Sequence, residues 1–69
     1  MTQKERIRKY LDDFGSITKL EAISDIGVMN LGARIEEMRK AGEPIICEMI
    51  NGKNRYGQAM RYARYRRAS

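Results

Sequence analysis

Residues 18–42, TKLEAISDIGVMNLGARIEEMRKAG, hold two short amphipathic segments on either side of a glycine, and this stretch decides the fold. Thr18 and Glu21 have the spacing of a capping box, in which each side chain satisfies a free backbone N–H at a helix start. A helix is therefore predicted over residues 19–25, and Gly27 breaks it. The residues predicted for its apolar face are Leu20, Ile23 and Ile26.

A third helix is predicted over residues 30–41, with Asn30 as its N-cap and Gly42 beyond its end. The residues spaced for its buried side are Val28, Leu31, Ile35 and Met38. The opposite side holds Met29, Ala33, Glu36, Glu37 and Lys40, with Asn30 and Arg34 on one flank. The second and third helices, joined by the turn around Gly27, form a helix-turn-helix layout.

The residues before this stretch predict a first helix and a short extended segment. Thr2 and Glu5 repeat the capping-box spacing, and Gly15 supplies a left-handed end, so this helix is predicted over residues 3–14. The residues of its apolar stripe are Ile7, Tyr10, Leu11 and Phe14. Residues 16–17 then lead, in extended conformation, into the second helix.

After the third helix the period of the apolar residues changes from about 3.6 to about 2, which is typical of strands. Strands are predicted over residues 45–50 and 59–65, joined by a hairpin loop over residues 51–58. The predicted fold class is therefore α+β, with a three-helix core closed by a two-stranded antiparallel β-hairpin over residues 1–65. Residues 66–69 are predicted to be a basic, poorly ordered tail, because they offer no apolar side chain larger than alanine.

The positive charge is concentrated in the last third of the chain. Residues 1–48 carry eight basic and nine acidic side chains, whereas residues 49–69 carry six basic side chains and no acidic one. The six are Lys53, Arg55, Arg61, Arg64, Arg66 and Arg67. Such a segment is typical of a protein that contacts nucleic-acid phosphates, although a solvated face and an anionic lipid surface are alternatives. Six phosphate contacts predict a slope of about −5 for log K against log salt.

Length and hydropathy restrict the class of protein. A chain of 69 residues has room for one domain with a small core. Its longest apolar run, residues 44–47, is far shorter than the roughly 20 residues that cross a bilayer, and the N-terminus has no apolar signal region. We therefore expect a cytoplasmic protein with no membrane partner.

The residues that carry most catalysis and metal binding are missing from the sequence. It has no histidine, and its single cysteine, Cys47, has no partner for nucleophilic or metal chemistry. Cys47 is instead predicted to fill the core from the first strand. Asp12 and Asp13 diverge by roughly 100° on a helix, so they cannot converge on one substrate bond. We expect no enzyme activity, catalytic residue, metal site, cofactor or small-molecule substrate.

Five short motifs follow one another along the chain: TQKERI at residues 2–7, GSIT at 15–18, ARIEEMR at 33–39, GEPI at 42–45 and NRYG at 54–57. With these motifs the chain resembles the winged helix-turn-helix superfamily, and more narrowly the short helix-turn-helix proteins of bacteriophages and prophages. The resemblance implies binding to double-stranded DNA. It also implies that the recognition helix, 30–41, enters the major groove and that the wing, 51–58, contacts the backbone or minor groove.

Twelve side chains are the candidate DNA contacts: Met29, Asn30, Ala33, Arg34, Ser16, Thr18, Lys19, Lys53, Asn54, Arg55, Tyr56 and Arg61. Arg34 can bind a guanine edge bidentately and Asn30 an adenine edge. Arg34 also has the spacing for an ion pair with Glu37, which is the structural alternative. Met29 and Ala33, where exposed, can contact thymine methyl groups. The start of the second helix offers free N–H groups to a phosphate.

These patterns lead to one principal functional hypothesis and two alternatives. The principal hypothesis is a sequence-specific double-stranded DNA-binding protein that regulates phage or prophage transcription or recombination by occupying a site. It is expected to be a monomer, with a dimer required only for symmetric sites. The first alternative is a protein-interaction module without DNA binding that uses Ile46 and Ile50 or the third helix. The second is a single-stranded nucleic-acid binder that stacks bases on interleaved arginine and tyrosine side chains.

Overall fold

The computed structural model describes residues 1–68, in which three helices pack against one antiparallel sheet. The elements, in chain order, are α1 (Gln3–Phe14), β1 (Ser16–Thr18), α2 (Lys19–Ile26), α3 (Leu31–Lys40), β2 (Ile45–Lys53) and β3 (Ala59–Arg67). The predicted α+β class is confirmed. Within these residues no helix is long and apolar enough to cross a membrane.

Both predicted capping boxes are formed. At α1 the Thr2 hydroxyl accepts from the backbone N–H of Glu5, and the Glu5 carboxylate accepts from the Thr2 N–H, each at 3.1 Å. Thr18 and Glu21 make the same exchange at α2, at 3.2 and 2.9 Å. The bounds of α1 match the prediction. α2 runs one residue beyond its predicted end, up to the left-handed C-cap Gly27 with φ 68°.

α3 is shorter by one residue at each end than the predicted helix over residues 30–41. Asn30 occupies the N-cap position, but its side chain makes no hydrogen bond to the first turn, so the predicted side-chain cap is wrong. Its backbone (φ −122°, ψ 63°) is not in the extended region from which a capping side chain reaches those N–H groups. Beyond the C-cap residue Ala41, Gly42 with φ 99° turns the chain toward β2.

The core lies between the helices and one face of the sheet. Its buried residues are Ile7, Tyr10, Leu11, Ile17, Ala22, Val28, Leu31, Ile35, Met38 and Ile45. The predicted buried side of α3 is therefore confirmed. On the helices, two residues predicted to face the core are on the surface instead, since Phe14 is 69% and Leu20 75% exposed.

The prediction for Leu20 is wrong because α2 does not face the core with the side that carries its largest apolar residues. Ala22 is fully buried and Ile26 packs against the core, so the contacting positions are four residues apart. A small residue at position 22 allows the helix to pack closely, and Leu20 in the first turn then faces solvent. Phe14 lies in the last turn of α1, where it covers the ring of Tyr10 at a centroid distance of 4.6 Å.

The sheet has three strands in the order β1-β3-β2, so the predicted two-stranded hairpin is incomplete. The segment before α2 forms β1 and pairs with residues 64–66 of β3. β3 is therefore held from both sides and continues to Arg67. Residues 66 and 67, which were predicted to belong to a poorly ordered tail, lie in β3, where Arg66 also pairs with Glu48 and Arg67 with Asp12. The last tail residue, Ser69, lies outside the described residues.

β2 and β3 pair over nine residues each and form a long hairpin. The turn comprises residues 54–58 and is shorter than the predicted loop. The side-chain oxygen of Asn54 accepts from the N–H groups of Tyr56 at 2.9 Å and Gln58 at 3.0 Å, which fixes the turn.

Cys47 is exposed, so its predicted core position is wrong. β2 is an edge strand, and only its first residue, Ile45, is buried against the core.

Candidate nucleic-acid interface

An open groove lies on the surface where α2 and α3 begin. Three segments form its walls: residues 18–21 at the start of α2, residues 29–32 at the start of α3, and Met60, Tyr62, Ala63 and Tyr65 of β3. Its volume is about 850 Å³. The groove opens where β1 ends, because β1 pairs only with residues 64–66 and leaves the same edge of β3 free from residue 59 to 63.

The walls of the groove expose large apolar side chains. Leu20 from α2 is 75% exposed and Met29, just before α3, is 69% exposed. Met60 and Tyr62 on the opposite wall are 40% and 39% exposed. Side chains of this size seldom cluster on a surface that contacts only water, so the groove has the character of a binding surface.

Four exposed cations, one on the groove wall and three on the hairpin, have no acidic partner in the described part of the chain. Lys19 lies at the first position of α2, and Lys53, Arg55 and Arg61 lie on the hairpin that forms the opposite wall. All four are exposed, and the ion pairs found within residues 1–68 involve none of them. Lys53 pairs with Ala59 across the hairpin, so Lys53 and Arg61 are diagonal neighbours on one face of the sheet.

The other three cations of the basic segment are held in ion pairs. Glu48 lies opposite Arg64 in the sheet register and pairs with Arg64 at 3.0 Å and with Arg66. These two guanidinium groups, Arg66 first, hold the pKa of Glu48 below its usual range. Arg67 pairs with Asp12 of α1. The basic segment therefore presents three free cations and not the six counted in the sequence.

The acidic residues of α3 are also paired. Glu37 accepts from Lys4 of α1 at 3.1 Å and from Arg34 at 3.0 Å, and the hydrogen bond from Lys4 is the main cause of its lowered pKa. Glu36 lies 3.9 Å from Arg39. Arg34 thus forms the ion pair that was the alternative to base contact, and its Nε is buried without a partner among the described residues.

The groove brings together four of the predicted site residues: Thr18, Lys19, Met29 and Asn30. Ser16, Ala33 and Arg34 do not line it. Five further predicted residues lie along the distal hairpin: Lys53, Asn54, Arg55, Tyr56 and Arg61. Tyr56 projects from the turn with 85% of its surface exposed.

Sequence reasoning missed eight of the residues that line the groove: Leu20, Glu21, Leu31, Gly32, Met60, Tyr62, Ala63 and Tyr65. Leu20 was assigned to the core because its spacing from Ile23 and Ile26 fits an apolar face, and no local signal separates that assignment from exposure. A Cβ at Gly32 would lie 3.9 Å from the Tyr65 hydroxyl, which is an ordinary contact distance, so α3 and β3 lie close together here without requiring a glycine.

Two hydrogen bonds from α1 fix the position of the helix-turn-helix segment. The Arg6 guanidinium donates to the backbone carbonyl of Ile26 at 2.8 Å, which satisfies a free acceptor at the end of α2. The Tyr10 hydroxyl donates to Asp25 at 2.7 Å. This bond, together with burial, raises the pKa of Tyr10 to about 12. Both contacts lie beside the turn that sets the direction of α3.

A comparison with known protein families agrees with this architecture of two helices meeting at a groove and a long hairpin. The sequence profile of the winged helix-turn-helix domain matches residues 2–68. The chain belongs to the winged helix-turn-helix family. In the terms of that family α3 is the recognition helix and the β2–β3 hairpin is the wing, and such domains generally bind DNA. No curated protein and no solved structure matched the chain.

Proposed function

We propose that the protein binds double-stranded DNA in a sequence-specific manner, with the start of α3 in the major groove and the wing on the phosphate backbone or minor groove. The observation that carries this proposal is the set of four unpaired cations: Lys19 lines the groove, and Lys53, Arg55 and Arg61 lie on the wing. Unpaired, exposed cations gain the most from phosphates, because no internal ion pair has to break first.

The charge pattern of α3 supports one docking direction. Glu36 and Glu37 lie in the second half of the helix. Although each forms an ion pair, their carboxylates are anions and repel phosphates. The first half carries no acidic residue. The start of α3 therefore approaches the bases, while Lys19 and the N–H groups at the start of α2 contact a neighbouring phosphate.

The biological role that fits this mode of binding is occupancy of a DNA site without catalysis. We place the protein in the cytoplasm as a monomeric phage or prophage regulator of transcription or recombination. The contacts proposed for the bases come from the turn and α3, with Asn30 among them. Those proposed for the backbone come from Ser16, Thr18 and the wing residues Asn54 and Tyr56 as well as from the four cations.

The decisive experiment is selection of binding sites from a library of random DNA duplexes, followed by affinity measurements on the enriched duplex, a scrambled duplex and a single strand. We expect one enriched sequence motif and tighter binding to the enriched duplex than to either control. A folded protein that enriches no motif and binds no duplex even at low salt would refute the proposal.

A protein partner is the second candidate function, and the exposed apolar groove favours it. Leu20, Met29 and Tyr62 together offer the kind of surface that a partner side chain covers. Under this alternative, duplex DNA would not compete with the partner for the groove. Salt-dependent duplex binding, weakened by substitution in the same groove, would exclude it.

A further inference from the structure

The third helix has no free arginine or lysine at the position from which bases are contacted. A bidentate Arg or Lys contact to guanine is the commonest specific contact in the major groove. Here Arg34 is held by Glu37 at 3.0 Å, and its side chain is only 33% exposed. Arg39 lies near the end of α3, beside Glu36. The first half of α3 therefore approaches DNA without an available guanine-binding group.

The groove offers apolar groups and one amide, while Lys19, the cation that lines it, lies at the first position of α2 and is proposed to contact a phosphate. Leu20 and Met29 stand at the adjoining starts of α2 and α3, and both are more than two-thirds exposed. Asn30 lies beside Met29 on the same wall, and its side chain is not engaged in capping α3. An amide matches the donor and acceptor pair on the major-groove edge of adenine.

We infer that the groove recognises A·T base pairs, with Leu20 and Met29 packing on the 5-methyl group of thymine and Asn30 bonding to adenine. The inference rests on the proposed function and names the base specificity of that site. Among the unmodified bases only thymine places a methyl group in the major groove, so an apolar contact there distinguishes it from cytosine. The free cations hold the phosphates, which keeps the apolar wall pressed against the base edges.

The test compares duplexes that differ only in methyl groups. An alternating A·T duplex is measured against the same duplex with uracil in place of thymine, and a G·C duplex against its 5-methylcytosine form. We expect removal of thymine methyl groups to weaken binding about fourfold for each methyl group buried against the protein. Methylation of cytosine is expected to strengthen binding in the same proportion.

Leu20→Ala and Met29→Ala are the matched substitutions. Both side chains are exposed, so the fold should tolerate the changes, which circular dichroism and thermal unfolding check. The double variant should bind the thymine and uracil duplexes equally. Phe14→Ala is the control, because Phe14 is comparably exposed but lies outside the groove, and it should leave the thymine preference unchanged.

The outcomes separate the inference from the function on which it rests. Salt-dependent binding with equal affinity for the thymine and uracil duplexes overturns the inference and leaves DNA binding intact. A thymine preference that survives the double substitution also overturns it, because the methyl groups would then be recognised elsewhere. If the protein binds none of the duplexes at low salt, the proposed function and the inference both fail.

Discussion

Replacing Lys53, Arg55 and Arg61 together by glutamine is expected to remove most of the salt dependence of duplex binding. These are the free cations of the wing, whereas Arg64, Arg66 and Arg67 are already ion-paired, the first two with Glu48 and the third with Asp12. Only a cation that contacts DNA displaces a counterion, so the paired arginines should contribute little to the slope.

The magnitude follows from the number of free cations on the groove wall and the wing. With Lys19 included, four phosphate contacts give a slope of about −3.6 for log K against log salt, and affinity falls about 150-fold between 50 and 200 mM salt. This slope is shallower than the value of about −5 expected from the six cations of the sequence. The triple variant retains one phosphate contact, so its slope should be about −0.9, and its affinity should fall only about 3.5-fold over the same salt range.

The assay is fluorescence anisotropy of a labelled duplex at several salt concentrations, for the wild-type protein and each variant. Lys9→Gln is the matched control for net charge. Lys9 lies on α1, pairs with Asp13 at 3.4 Å and lines a separate cleft with Met1 and Phe14. Its replacement should leave the slope unchanged.

Two results would refute this reasoning. If single glutamine substitutions in the wing leave the slope unchanged, the wing does not contact the backbone. If Lys9→Gln lowers the slope as much as Arg55→Gln does, binding depends on net charge and not on the positions of the cations. A slope near −5 in the wild-type protein would show that the internal ion pairs open on DNA.

Further predictions concern stability. Ile35→Ala should lower the free energy of unfolding by about 2–5 kcal/mol in urea denaturation, because Ile35 is a fully packed core side chain and its removal leaves a cavity. The lowered pKa values of Glu37, Glu43 and Glu48 contribute stability that is complete above the ordinary glutamate pKa of about 4.3 and is lost as the pH falls through their folded-state values. The urea midpoint of the wild-type protein should therefore fall on acidification, and that of Glu48→Gln should fall less. An equal fall in the two proteins would contradict a stabilising role for the Glu48 ion pairs. The raised pKa of Tyr10 predicts a loss of stability as the pH rises from 10 toward 12, and Tyr10→Phe should remove that part of the alkaline transition.

The helices were predictable because their signals are local. Each capping box needs two side chains three residues apart, and each left-handed end needs one glycine, so the bounds of α1 and α2 follow from short segments. The change in apolar period identified the hairpin for the same reason. The cap at Asn30 failed although the residue type was suitable, because the turn after Gly27 gives position 30 a backbone conformation that no neighbouring residue indicates.

The site was less predictable, since its composition depends on which segments meet. Thr18, Lys19, Met29 and Asn30 were identified and share one groove, but Leu20 was placed in the core. Leucine at helical spacing fits either position. The choice depends on the small buried Ala22, which sets how closely α2 packs.

The sequence by itself determined the helix starts and ends, the switch to strands after Gly42 and the concentration of basic residues in the last third, because each of these depends on neighbouring residues. Only the tertiary structure decided that residues 16–18 join the sheet, and that Glu48 and Asp12 take three of the six late cations. Asp12 and Arg67 are 55 positions apart, and such a pair forms only when the chain closes on itself. The cations left free for a partner are therefore a property of the folded chain.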